Sequence, residues 1–374
     1  MDSSLSNVSR FPLSVVCNRF ASGEWRHESE NDFRSQLLAE GRKRVDSFVF
    51  EHGFERRLRE ITWSSELTLA LGWYVCHDAR GCRYWIRFVE DLAPWCAADD
   101  SLCDRISSHA NGMEESVICT SFDVVSNDFS ARAYVSGMWG PSSSLSLLLS
   151  LLSGQEPREV RNMIRASYDD MEPALNYLGR YMSPEERRSL SLKRRLVNGI
   201  ISTHLGRDPS DLDALVLSPD GQLTCVELKR KYPARGKYKY FGVDERPHVE
   251  TMHALARLNV RTLHVILVAP RWVDAESPVR WLDDVALREN WVWLAVWLSP
   301  RVFVEGVNLS TRGEKSGQRA FYRTQSAIDW SFIYEVNNGL RINEEGKRAL
   351  ACLLHWGHLS LEPTTYESLE RRTR

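Results

Sequence analysis

The stretch Asp211–Lys231, DLDALVLSPDGQLTCVELKRK, constrains this chain more than any other. Two short apolar runs, Asp213–Leu217 and Leu223–Leu228, flank Ser218-Pro219-Asp220-Gly221. Proline presets a negative φ and glycine accepts a positive one, so the tetrapeptide reads as a tight turn and the whole as a β-hairpin. Side chains alternate faces along a strand, which puts Glu227 and Lys229 on one side and Leu228 on the other. Pairing of the two runs brings Asp213 down beside Glu227. Two carboxylates and a lysine then share one strand end.

That grouping has a chemical use. Neighbouring carboxylates raise each other's pKa unless a cation lies between them. Hard oxygen ligands open to water suit Mg²⁺ or Mn²⁺, and such an ion improves a bound water as a nucleophile and neutralises charge on a phosphoryl group. In that setting Lys229 orients the water or stabilises the transition state. This is the chemistry of phosphodiester hydrolysis.

Asp213, followed by Glu227-Leu228-Lys229 at the end of the next strand, resembles the PD-(D/E)xK, or restriction-endonuclease-like, nuclease superfamily, over residues 183–298. The resemblance implies an α/β fold with a mixed sheet flanked by helices, Mg²⁺ or Mn²⁺ held by Asp213 and Glu227, and a catalytic Lys229. It also implies a helix before the hairpin, often bearing a further acid, and a helix then a strand after it. Candidates for accessory roles are Glu185 or Glu186, Asp211 as a rival ligand, and His248 near the start of the following helix. The chain departs from the pattern in two places: Leu212, not proline, precedes Asp213, and a strand before the aspartate has only Gly199–Leu205 to supply it, a segment that reads as either strand or helix. The activity implied is that of a metal-dependent DNA endonuclease in phage defence, repair or transposition. The alternative is a non-catalytic nucleic-acid-binding or scaffold subunit with a degenerate nuclease fold.

Formal net charge is −2, so attraction to DNA must come from a local patch. Between Ser183 and Tyr240 stand twelve Lys or Arg against seven Asp or Glu. Directly after the hairpin, basic residues interleave with aromatics, and Arg230, Lys231, Arg235, Lys237, Tyr238 and Lys239 are expected to follow a phosphate backbone. Such contacts supply affinity without sequence choice.

The 374 residues allow two or three domains. The expected division is an α+β accessory domain over 1–140, a helical linker over 141–182, the nuclease-like domain over 183–298 and an extension over 299–374. Within it, periodicity predicts helices over Asn31–Arg59, Pro247–Leu258 and Val279–Glu289, and strands over Leu67–His77, Arg83–Val89, Ser116–Val125, Ala131–Val135, Leu263–Val268 and Trp291–Leu298. Ser183-Pro184-Glu185-Glu186 forms a capping-box signature and Asn343 an N-cap. Cys76, His77, Cys82, Cys96, Cys103 and His109 have wider and less matched gaps than the paired ligands of a usual zinc site, and the cysteines read as buried free thiols. The most apolar run, Leu145–Leu152, is far short of a membrane span, and the N-terminus lacks a signal-peptide profile. A cytoplasmic protein is expected, with DNA and a protein partner or second copy as its partners.

Overall fold

Helix α1 (Arg42–Ser64) buries Val45, Phe48, Val49, Phe54, Leu58 and Ile61 at helical spacing. This computed structural model describes residues 33, 34, 37 and 40–374, apart from 110–114, 136, 158–167, 206–208, 235–237, 273–275, 314–320 and 358–361. After α1 the run read as one strand is two, β1 (Thr68–Ala70) and β2 (Trp73–His77). Gly72 divides them at φ 82°, where an added Cβ would lie 2.9 Å from the Phe88 carbonyl oxygen. Only glycine turns the chain there without strain, and the turn carries it from one sheet into another.

The second of those sheets is built mostly from β3 (Arg83–Val89), β4 (Glu115–Asp123), β5 (Asp128–Val135) and the short β6 (Met138–Trp139) and β7 (Ser143–Ser144). Helix α2 (Ala97–His109) makes the crossover that lets β3 and β4 run parallel. Next come α3 (Leu145–Ser153), α4 (Tyr168–Tyr181) and α5 (Pro184–Arg194). The expected capping box starts α5: Ser183 Oγ accepts from Glu186 N at 3.2 Å, and Glu186 Oε2 accepts from Ser183 N at 2.7 Å. Replacing Ser183 by alanine is expected to cost about 1 kcal/mol, read as a lower denaturant midpoint. Gly199–Leu205, left open between strand and helix, is helical: a π-helical turn over Arg195–Ile201 runs into α6 (Ser202–Leu205).

The chain then repeats its change of sheet. Strand β8 (Ser210–Leu212) pairs with β2, whereas β9 (Ala214–Leu217) pairs with β1, and Asp213 lies between them. β10 (Leu223–Arg230) completes the predicted hairpin around Gly221 at φ 84°. After β11 (Phe241–Asp244) and α7 (Glu250–Arg257), β12 (Arg261–Val268) returns parallel to β10. β13 (Val292–Leu298), β14 (Phe303–Gly313), β15 (Phe321–Ile328), β16 (Tyr334–Asn338), α8 (Glu344–Trp356) and α9 (Tyr366–Thr373) finish the chain. Asn343 caps α8 as expected, accepting from Gly346 N at 2.8 Å. Val279–Glu289, predicted helical, holds two 3₁₀ turns, Pro278–Trp281 and Val285–Asn290.

The result is a mixed α/β protein. Its central six-stranded sheet has the order β1-β9-β10-β12-β13-β16 and is antiparallel except at β10–β12. One face packs Val216, Val226, Leu263 and Val265 against Phe48 and Phe54 of α1 and Leu175 of α4. The other packs Leu215, Leu223 and Cys225 against α2 and α7. Both faces are covered, which accounts for the nearly continuous apolar run of β12. A second sheet joins β6-β5-β4-β3-β2-β8, and β11-β15-β14 forms a third. The central sheet therefore draws β1 from the segment expected to be an accessory domain, so the boundary placed at residue 140 does not separate the sheets.

Candidate active site

The hairpin register pairs Val226 with Ala214, one step from Glu227 and Asp213. Asp213 Oδ2 accepts a hydrogen bond from Leu228 N at 2.6 Å, fixing the carboxylate against β10. Glu227 Oε1 lies 2.5 Å from Lys229 Nζ and 3.3 Å from His248 Nδ1. His248 stands in the turn Glu245–Val249 that leads into α7. On the far side of Asp213, Asp211 Oδ2 accepts from Arg44 Nη2 at 2.8 Å, and Arg44 Nη1 lies 3.7 Å from Glu51. Arg44 and Glu51 come from α1. The hairpin, the sheet-to-sheet crossing and one helix thus meet at a single point.

The charges there are strongly coupled. Burial and the neighbouring Glu227 push the Asp213 carboxyl well above its usual range, against the pull of Lys229. Burial likewise raises Glu227, with Lys229 opposing, and raises Glu51, with Arg44 opposing. Burial also works against the charge of Asp211, yet Arg44 and Lys229 hold that carboxyl well below the ordinary value. Burial disfavours the Lys229 ammonium too, but Glu227, Asp213 and Asp211 keep it protonated far above the lysine range. His248 is driven well below its usual value by burial and the two lysines, so its imidazole is neutral. A single ammonium serves three carboxylates, and Asp213 is left short of positive charge. Lys229 is 31% exposed and within reach of solvent.

A cavity of about 430 Å³ opens on this acid face between α1 and α5, with Glu51, Asp211 and Asp213 in its wall. Among the described residues, no group of three or more His, Cys, Asp or Glu side chains converges as a metal site. The donor set nevertheless suits a hard cation. Glu227 offers a buried carboxylate and Asp213 a half-buried one beside it, and Mg²⁺ takes one or two carboxylates while water and phosphate oxygens fill its remaining positions.

Sequence and structure part company at several residues. Glu186 is committed to the capping box and to His52, whose Nε2 lies 3.1 Å from Glu186 Oε1; it faces the cavity rather than Glu227. Lys231, expected on phosphate, turns inward and donates to Gly242 O at 2.7 Å. Arg230 folds back over the Phe50 ring at 5.8 Å. Tyr238 and Lys239 are exposed, Lys239 with its ammonium 4.4 Å above the Tyr366 ring. Arg235 and Lys237 lie outside the described residues. His264, in β12, is buried in the core.

No model of a known protein family matches the chain, and no curated protein or solved structure does. Among the described residues, no helix is long and apolar enough to cross a membrane.

No local sequence signal marks Glu51 and Arg44 as site residues. Their helix was legible, but Arg44 and Asp211 are 167 residues apart, and no spacing rule links them across an inserted sheet.

Lys231 gives the site region a measurable signature. Burial, and then the nearby Lys229, push its amine down to about 7 from the usual 10.5. Between those values the unfolded chain holds the proton and the folded chain does not, so stability rises as pH climbs from about 7 toward 10.5. The slope is at most about 1.4 kcal/mol per pH unit. In Lys231→Met this rise should vanish from denaturation curves taken across that window; an unchanged slope would assign it elsewhere.

Proposed function

We propose that the protein is a metal-dependent DNA endonuclease of the restriction-endonuclease-like type. One observation carries the reading: Asp213, Glu227 and Lys229 converge at the end of the hairpin, with Lys229 reachable from solvent. The order of elements supports it. An acid-bearing helix (α1 with Glu51) precedes a strand (β1), then come the hairpin β9–β10, a helix (α7) and a strand parallel to the second hairpin strand (β12). The strand sought at Gly199–Leu205 corresponds to β1, separated from the hairpin by the whole second sheet.

Asp213 and Glu227 would hold Mg²⁺ or Mn²⁺, which supplies charge neutralisation at the phosphoryl group and an acidified water. The protein's own residues do the rest. Lys229, kept protonated by the surrounding carboxylates, donates to a non-bridging phosphate oxygen as charge builds there. Glu227 anchors Lys229 at 2.5 Å and so sets its position. Neutral His248 adds no positive charge of its own beside Glu227. The exposed Tyr238 and Lys239 border the chain that leaves the hairpin and supply backbone contacts without base preference.

Supercoiled plasmid incubated with purified protein and Mg²⁺ or Mn²⁺ tests this. Nicked or linear product that disappears with EDTA is expected; linear product alone would point to two copies acting together. A second reading has its own observation. Arg44 already neutralises Asp211, and Lys229 already neutralises Glu227, as a non-catalytic DNA-binding or scaffold subunit would require. Salt-sensitive DNA binding without cutting under either metal would select that reading.

A further inference from the structure

We infer that the cavity between α1 and α5 receives one nucleotide of a single DNA strand, so that the preferred substrate is a single-stranded end or flap and not intact duplex. The inference rests on the nuclease reading for its location, because Asp211 and Asp213 of the candidate site form part of the cavity wall.

Size is the first argument. About 430 Å³ falls within the range, roughly 300 to 1,000 Å³, of pockets that enclose one small organic molecule. A mononucleotide fits such a space, whereas a paired and stacked base must first be extruded to enter it. An unpaired strand avoids that cost.

The lining is the second. Arg56 and Arg59 face the cavity from α1 and are exposed, which places them on its solvent side. They stand on the same helix as Glu51, one and two turns further along. Glu55 and Glu60 also line the cavity, so phosphate contact falls to the guanidinium groups, and a strand lying along them would run on toward Asp211 and Asp213 in the same wall. Arginine suits this role because its planar fork matches phosphate oxygens.

His52 is the third. Its side chain is 9% exposed, and Nε2 faces Glu186. Nδ1 is buried and has no hydrogen-bond partner. A buried polar atom without a partner is costly, and His52 is among the residues that line the cavity. A sugar hydroxyl or a base edge would satisfy it once the ring turns that nitrogen to the cavity wall.

The test uses full-length protein in EDTA, so that binding is read without turnover. Fluorescence anisotropy would be followed with a labelled 12-mer single strand and with the blunt duplex of the same sequence. The single strand should bind at least 10-fold more tightly. An Arg56→Ala/Arg59→Ala double variant should lose about 10-fold on the single strand and change little on the duplex, and Arg56→Lys/Arg59→Lys should recover part of the loss. Both arginines are exposed, and an unchanged thermal midpoint would verify that the variants are folded. Equal binding of the two DNA forms, no binding of either, or a double variant that holds the single strand like the parent would each overturn the inference. Cleavage of the same labelled single strand and duplex with Mg²⁺ or Mn²⁺ reports separately on the nuclease reading: a strand preference without cutting of either form would retain the cavity assignment and remove the enzyme.

Discussion

Asp213→Asn is expected to abolish metal-dependent DNA cleavage and, in the same molecule, to make the fold more stable. The activity loss follows from removing one of the two carboxylates proposed to hold the cation; a fall of about 10²-fold or more is the scale for losing a preorganised electrostatic group. The stability gain follows from the surroundings of Asp213, whose carboxyl is driven well above its usual range by burial and by Glu227. A carboxyl that holds its proton more tightly when folded contributes stability fully below its unfolded value of 3.8 and loses it as pH rises toward its folded value. At neutral pH the parent protein therefore carries a penalty that the neutral amide lacks. The amide oxygen can still accept from Leu228 N, so the strand contact survives. Thermal midpoints in EDTA across acid to neutral pH provide the measurement, with the variant expected to gain most at the higher pH. A variant that cuts like the parent would remove Asp213 from the mechanism. One that is inactive but less stable would show that the aspartate is mainly structural. Lys229→Ala should lose activity on a similar scale but should not share the gain, because it leaves Glu227 without its ammonium.

The second large effect lies away from the chemistry. Arg87 and Asp99 form an ion pair with no exposure of either side chain, Nε to Oδ1 at 2.7 Å. Asp99 also accepts from Trp73 Nε1 at 2.7 Å and from Cys96 N at 2.8 Å, while Arg87 donates to the Ala93 and Pro94 carbonyls at 3.1 and 3.0 Å. Removing one partner of such a pair leaves an uncompensated charge in the core. Asp99→Ala should cost about 3 to 5 kcal/mol, seen as a large drop in the guanidinium midpoint or as loss of soluble protein. Replacing both residues with apolar ones, Arg87→Met with Asp99→Leu, should restore much of that stability. A cost below about 1 kcal/mol for the single variant would contradict the account. The pair also bears on the site. It fixes the start of β2, and β2 pairs Tyr74 with Asp211, so its loss should loosen the crossing that presents Asp211 and Asp213.

Local physics is written plainly in this chain. The Ser218–Gly221 turn, the alternation that aligns Glu227 with Lys229, the capping box at Ser183 and the N-cap at Asn343 each depend on residues a few positions apart, and each forms as the residues predict. Strands β11, β15 and β16 were not legible in the same way. Phe241–Asp244 is too short to show a period, and Phe321–Ile328 carries polar residues that are tolerated in the small three-stranded sheet. Lys231 illustrates the limit at a single residue: a lysine after a strand reads as solvent-facing, but the position of Gly242 O turns it inward.

The convergence of Asp213, Glu227 and Lys229 is thus a property of twenty-one consecutive residues, because a hairpin closes through its own turn and its register follows from that turn. Which helix adds an acid, which strand borders Asp213 and where a cavity opens are set by contacts between segments far apart in sequence. Arg44 meets Asp211 across 167 positions, and β1 lies beside β9 with an entire second sheet between them in the chain. Such contacts arise from burying apolar faces against one another, and burial is non-directional. The apolar pattern marks which faces are covered, and only the packed fold selects their partners.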